Sequence, residues 1–520
     1  MIGRRQLVAA TAVACLALTV AACGGGDETT ANDARPPTPA LGPVPRKGPL
    51  PEATVTVAAR GPSIPVPRSY FGISTEYWGI DHFGRFMGDY ERLMSMLRVP
   101  GNGPFVLRIG GDSADHSLLD VTHRRLPASI FDVTPPWFHR VSELVDTLHA
   151  RLIFDLGLVA APPVTAVRWA HAAMTELPRG SLLDYEIGNE PDLYTRRYWA
   201  TVFSPLGLLV RDLPVEVTPS SYVKLFGAYS TVLGRISPRV GLAGPVVAYP
   251  ALALAWISTL LESHQARLRL VTAHEYPYSA CAPPLSAQFP TIGRILSERA
   301  SAGMAAAVKP AVLLAHRAGF PFRLTELNSV TCGGSPGVSN TFATALWAPD
   351  ALFELMRTGA NGVNVHVRAY AVNGAWGLGR DGLVTHPLYY GLLLLTRMLG
   401  PGARLVTAHL AAPPSLHLKA WAVRVGKSEL RALVINKGRH AVHAILRLPA
   451  RAPATVDRLL APSPRATTGE RLNGQYLGAH QRWVGSRSNE TIRPAADGYE
   501  LDVPAASAAL VRVQTEPQAR

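Results

Sequence analysis

Cysteine is scarce, with four in 520 residues, and so few thiols cannot make a disulfide scaffold. Cys15 and Cys23 fall near the N-terminus, which leaves Cys281 and Cys332. Outside the cytoplasm such a pair is expected as one disulfide rather than as two reactive thiols. Beyond the N-terminal segment no stretch is long, apolar and uncharged enough to span a bilayer. Histidines never recur in HxxxH or HxH spacing, so His116, His274 and His366 are expected as hydrogen-bonded wall residues, with no metal site and no cofactor. The glycines of TCGGSPG lack the Lys and Ser/Thr ending of a phosphate loop. Net charge is +14, with much of the excess after residue 400. A basic surface can draw nucleic acid, anionic lipid or acidic polysaccharide. No basic helix or interleaved aromatic motif accompanies it, so no nucleic-acid partner is expected.

Other features are plentiful. Hydrophobic residues make up 48% of the chain and charged residues 17%, the balance of a folded protein with a sizeable core. Arg4 and Arg5 precede an apolar run from Leu7 to Ala22, and the small pair Ala21-Ala22 stands directly before Cys23. This reads as a bacterial lipoprotein signal over 1–22, cleaved before a lipidated Cys23. GRRQLV also resembles a twin-arginine signal, which leaves the export route open. Residues 23–50, rich in Gly, Pro and small polar residues, cannot bury an apolar face and read as a tether. The expected location is extracytoplasmic, on a membrane.

Eight short apolar runs then recur with helix-compatible segments between them: FGISTE (71–76), FVLRIGG (105–111), RLIFDLGL (151–158), LLDYEIGN (182–189), VGLAGPVV (240–247), LRLVTAHEY (268–276), PFRLTEL (321–327) and GVNVHV (362–367). They suit strands buried on both faces. A helix is expected over TFATALWAPDALFELMRTG, capped at Asn340 and ending at Gly359. Eight strands alternating with helices over 68–400 predict a (β/α)8 barrel, in which chemistry belongs at the C-terminal ends of the strands. Polar residues gather there: Glu76, the GGDSAD with Asp112 and Asp115, Asn189-Glu190, Glu275-Tyr276, Glu326 and His366. Inside the strands lie Asp155 and Glu186, and Glu186 is expected to be a buried partner for a cation, with Arg108 a candidate. Residues 401–516 alternate with period 2 and predict an antiparallel β-sandwich, which a strand within 51–67 is expected to join.

Glycosidic cleavage requires one group to protonate the leaving oxygen and another to attack or hydrate the anomeric carbon. Glu190 at the end of the fourth strand and Glu326 at the end of the seventh would face each other across the barrel mouth. Glu190 could alternatively cap a helix before Pro191, but that leaves Glu326 unexplained.

RIGGDSAD (108–115), EIGNEPD (186–192) and TELNSVTCGGSPGVSNTFATALWAPD (325–350), in this order, resemble glycoside hydrolase family 79 of the large retaining (β/α)8 clan. That family includes bacterial β-glucuronidases and heparanase. The resemblance spans roughly 55–515 and implies Glu190 as general acid/base and Glu326 as nucleophile. It implies that Asn189 binds the hydroxyl beside the reacting carbon, that Arg108 and Tyr276 orient the nucleophile, and that Glu76, with Asp112 and Asp115 in the same mouth, meets the sugar. Gly333 and Gly334 would give backbone N–H groups to a substrate carboxylate. One departure stands out: relatives that cleave uronates hold the carboxylate with tyrosines, whereas here Thr331 fills one place and the other could be Tyr370 or Trp376. The resemblance thus implies a carbohydrate substrate, most simply a β-D-glucuronide. A neutral sugar, or binding without turnover, stays open.

Overall fold

The computed structural model describes residues 49–58, 61–120, 126–194 and 217–515. The signal segment 1–22, the Cys23 lipidation site and nearly all of the 23–50 tether lie outside the described residues.

Eight parallel strands close into a barrel: β1 (Phe71–Glu76), β2 (Phe105–Gly110), β3 (Ala150–Leu156), β4 (Leu182–Ile187), β5 (Gly241–Val247), β6 (Leu268–Glu275), β7 (Phe322–Leu327) and β8 (Gly362–His366). Closure comes from β8 against β1, with Val363 opposite Phe71 and His366 opposite Ser74. The eight runs read from sequence are these eight strands. Every residue of β1, β2, β7 and β8 is buried, because one face fills the barrel and the other packs under helices. Helices Pro135–Leu148 and Pro163–Glu176 open on proline in the first turn, where a missing N–H costs nothing.

The helix expected near 340–359 spans Phe342–Arg357. Asn340 does not cap it: its Oδ1 accepts the Gly337 N–H at 2.8 Å, and Thr341 takes the N-cap position. Gly359, at φ +99°, follows the helix end as expected.

Two sheets form the C-terminal unit. Glu52–Val57 lies between Ala408–Ala411 and Val442–Arg447, with Tyr499–Val503 beyond. A larger sheet runs from Ser63–Pro65 through Arg404–Val406, Leu418–Val425, Glu429–Asn436 and Ser507–Gln514 to Ala454–Leu460. The N-terminal extension therefore supplies a strand to each sheet. Its first strand pairs parallel with Val442–Arg447, an exception to the antiparallel pattern that a strand from the far end of the chain permits, since no hairpin dictates its direction. Val55, Val57, Val434, Leu446, Leu501 and Val511 pack in one apolar layer between the sheets.

This unit is tied to the barrel by charge. Lys437 Nζ lies 2.6 Å from Asp350 Oδ2, and Lys419 Nζ 2.9 Å from Glu354, both acids being on the Phe342–Arg357 helix. Trp421 Nε1 donates to the other oxygen of Asp350 at 3.0 Å.

Candidate active site

Where β4 ends, the backbone leaves the strand conformation. Gly188 has φ +81° and Glu190 φ +48°. The left-handed region costs a non-glycine residue about 1–3 kcal/mol unless its surroundings impose it. Here the Glu190 N–H donates to the Val246 carbonyl at 3.0 Å and Pro191 starts a short 3-10 turn. Leaving the strand's alternation lets the neighbours Asn189 and Glu190 serve the same mouth.

Arg108 is the hub beneath that mouth. It is fully buried, and its guanidinium meets three carboxylates: Nε to Glu186 at 2.8 Å, Nη2 to Asp155 at 2.9 Å and Nη1 to Glu326 at 3.0 Å. Nη2 also donates to Asn189 Oδ1 at 3.0 Å. Glu186 is thus the buried partner of Arg108, and its second oxygen accepts the Thr325 hydroxyl at 2.7 Å. Since Arg108 occupies the Asn189 carbonyl, the Asn189 amide NH2 is left as a donor.

The two candidate catalytic carboxylates differ in surroundings. Tyr276 donates to Glu326 Oε1 at 2.7 Å, Arg108 holds Oε2, and His366 Nδ1 stands 3.5 Å from Oε2. Burial would raise the Glu326 pKa, but His366, His274, Arg108 and the Tyr276 hydroxyl together hold it well below the usual carboxylate range. Glu190 is pushed the other way. Burial raises it and the charge of Glu326 adds to that, against the lowering effect of His274. One carboxylate is therefore kept ionised and the other keeps its proton to higher pH, the separation that divides nucleophile from acid. An oxygen of Glu190, one of Glu326 and a nitrogen of His274 lie within 4.8 Å of one another. Such a trio has the donors for a metal ion, but Glu326 already spends both oxygens on Arg108 and Tyr276, and the fixed guanidinium opposes a second cation there.

His274 was expected only to line the wall. Its Nδ1 stands 2.8 Å from Glu190 Oε1, where it donates whenever Glu190 is ionised. A sequence signal existed: His274 stands near the end of β6 and two residues before Tyr276, which directly follows the strand, so both point to one side. Replacing His274 by alanine removes a group that lowers both carboxylates. Glu190 then keeps its proton to higher pH and Glu326 ionises later. Both limbs of the kcat/KM–pH profile are expected to move upward, which stopped-assay kinetics across pH would check; unmoved limbs would contradict the assignment.

Beyond the nucleophile, Glu76 is buried, accepts the Ser113 N–H at 2.8 Å and lies 3.5 Å from His366 Nε2. Asp112 is half-exposed and pairs with Arg368 Nη1 at 3.1 Å. Asp115 does not line the mouth: it is buried, accepts the Val159 N–H at 2.7 Å and bonds the Tyr194 hydroxyl. A cavity of about 380 Å³ opens here, lined by Trp78, Cys332, Gly333, Arg368 and Tyr370 among others. Tyr370 is 73% exposed, whereas Trp376 is wholly buried against Phe83 and Tyr90, which settles where each aromatic lies. A Cβ on Gly333 would meet nothing within 4 Å, but on Gly334 it would sit 2.8 Å from Asn373. The Gly334 N–H also donates to the Thr331 carbonyl at 3.3 Å, so of the two glycines Gly333 faces the open space. Sequence reasoning missed Trp78 and Arg368.

Cys281 and Cys332 form a disulfide. It joins the loop after β6 to the glycine turn after β7, alongside the pairing of Tyr278–Ser279 with Val330–Thr331. The bridge closes a sequence separation of 51 residues, worth up to about 4 kcal/mol by loop-closure entropy. The double replacement of both cysteines by serine is expected to lower stability by up to that amount in urea unfolding and to raise KM for substrate more than it lowers kcat.

No family model matches the chain. It is 24% identical over 484 residues to a β-glucuronidase of Aspergillus niger, covering 81% of this chain and 85% of that one. Its fold superposes on a 4-O-α-L-rhamnosyl-β-D-glucuronidase of Fusarium oxysporum with TM-score 0.70 at 18% identity, over 88% of this chain and 99% of the other. A family GH51 arabinofuranosidase of Xanthomonas axonopodis follows at TM-score 0.64 and 13% identity, over 89% and 100%. In sequence the chain is similar to β-glucuronidases and in fold to (β/α)8 glycoside hydrolases; it is a glycoside hydrolase, with Glu190 just past β4 and Glu326 near the end of β7 at the barrel mouth.

Proposed function

We propose that the chain is a retaining β-D-glucuronidase working by double displacement. The observation that carries the retaining mechanism is the separation of the carboxylates. An oxygen of Glu190 and one of Glu326 lie within 4.8 Å of each other, an approach that supports the close carboxyl pair, about 5–5.5 Å apart, of retaining enzymes. Glu326 attacks the anomeric carbon while Glu190 gives its proton to the leaving oxygen, so the glycosidic bond breaks as a glycosyl ester forms. Glu190, now ionised, takes a proton from water, whose oxygen attacks the same carbon and releases Glu326. Two inversions restore the β configuration. Arg108 and Tyr276 hold the nucleophile, and the Asn189 amide donates to the 2-hydroxyl, a contact that tightens as positive charge grows on the ring.

The glucuronide preference is supported by the similarity to β-glucuronidases. A second reading, a neutral glycoside, is favoured by Thr331 standing where uronate-cleaving relatives have tyrosine and by the burial of Trp376. We place the enzyme outside the cytoplasm, lipid-anchored through Cys23, a placement supported by the N-terminal sequence and by the Cys281–Cys332 bridge. Globomycin sensitivity of its processing in the native host would test the anchor. A panel of aryl β-glycosides tests the activity. Cleavage of the glucuronide alone supports the first reading and cleavage of another sugar the second, while binding without cleavage sinks both.

A further inference from the structure

Among the described residues that line the cavity at the glycine turn, Arg368 is the one charged side chain. It follows β8, where Nη1 meets Asp112 at 3.1 Å and Nε stands 3.9 Å from Glu76. Its guanidinium carbon lies 5.7 Å from the centre of the Trp78 ring, a face that supports a cation. No described residue hydrogen-bonds Nη2, and the side chain is 38% exposed. Arg108 is the opposite case, with every nitrogen engaged and no exposure. A guanidinium held on one edge and open on the other is arranged to take an anion.

Position points the same way. His366 contacts Glu326 through Nδ1 and Glu76 through Nε2, each at 3.5 Å. Glu76 and Glu326 are thus separated by one imidazole and its two contacts, roughly the span of a sugar ring. With the anomeric carbon at Glu326, the far side of the ring reaches Glu76 and, beside it, Arg368. Gly333, with open space on its Cα, lines the same cavity. A neutral sugar has no need of a cation there. An anionic one entering among Glu76, Asp112 and Glu326 requires it, since like charges oppose it.

We infer that Arg368 is the specificity-determining residue of this chain, binding the carboxylate of the substrate sugar through its open edge in place of the missing tyrosine. This rests on the glucuronide reading above. The test compares wild type with Arg368→Gln and Arg368→Lys, using an aryl β-D-glucuronide for kinetics and calorimetric titration with D-glucuronate and its uncharged methyl ester. Arg368→Gln is expected to lower kcat/KM about 10- to 100-fold, mainly through KM, and to weaken glucuronate binding by a similar factor. Binding of the methyl ester stays within about twofold, and Arg368→Lys restores part of the loss. Melting curves show that the variants are folded.

Equal weakening of charged and uncharged sugars would reduce Arg368 to a support for Glu76 and Asp112 and overturn the inference, as would no weakening at all. A wild-type enzyme that cleaves only neutral glycosides fails earlier, before any variant is made, and removes the proposed substrate together with this role.

Discussion

Glu326→Ala is expected to lose about 10⁴-fold or more in kcat, the scale on which removal of a nucleophile acts. Azide should restore turnover and yield the glycosyl azide of inverted configuration. The small anion fits where the carboxylate was, and Glu190 still protonates the leaving group. The surroundings make the case: Arg108 at 3.0 Å and Tyr276 at 2.7 Å hold Glu326 ionised and aimed. In Glu190→Ala the same anion gives an azide of retained configuration, because it enters at the second step. Product stereochemistry, read by NMR, thus distinguishes the two roles. Inverted azide from the Glu190 variant would exchange them.

Replacing Arg108 by alanine has the largest expected effect on stability. It would leave Asp155, Glu186 and Glu326 in the barrel without the cation they share. Removing one partner of a buried ion pair typically costs about 3–5 kcal/mol, since the remaining charge stays buried and unpaired. With three acids on one guanidinium, Arg108→Ala is expected at the upper end of that range or to prevent folding. Glu186→Gln keeps the shape and removes one negative charge, so its loss should be smaller. Urea unfolding, compared through midpoints at constant slope, measures both. A loss below about 1 kcal/mol for Arg108→Ala would mean that water or protonation already offsets the cluster.

Much of this arrangement was legible in the chain. The barrel strands are short, largely apolar runs set between helix-compatible segments, so FGISTE and FRLTEL announce themselves without any contact information. Glu190 and Glu326 could be paired because a barrel brings the ends of β4 and β7 to one mouth, whatever their distance in sequence. Glu186 and Glu190 could be told apart by the same rule, one inside a strand and one past its end. Other details depend on side-chain reach, which periodicity does not encode. Asp115 stands in GGDSAD beside Asp112, yet a tight turn sends it to the N–H groups of Val159 and Ala160. In RAYAVNGAW the aromatics Tyr370 and Trp376 are the obvious partners for a carboxylate by residue type, whereas Arg368, at the head of the run, is placed by the turn after β8. Trp376 was a candidate by type, but its pairing in the Trp376–Leu378 hairpin with Leu383–Thr385 buries it. Asn340 looked like a cap and instead closes the turn before the helix.

The central claim is that Glu326 forms a covalent bond to the sugar. Incubation with an activated 2-deoxy-2-fluoro-β-D-glucuronide should trap that intermediate, since the fluorine slows its hydrolysis by withdrawing electrons from the charged transition state. Peptide mass mapping should then find one fluoroglucuronyl group, on Glu326. An adduct on Glu190 or on another carboxylate, under conditions in which the unsubstituted glucuronide is cleaved, would contradict the account.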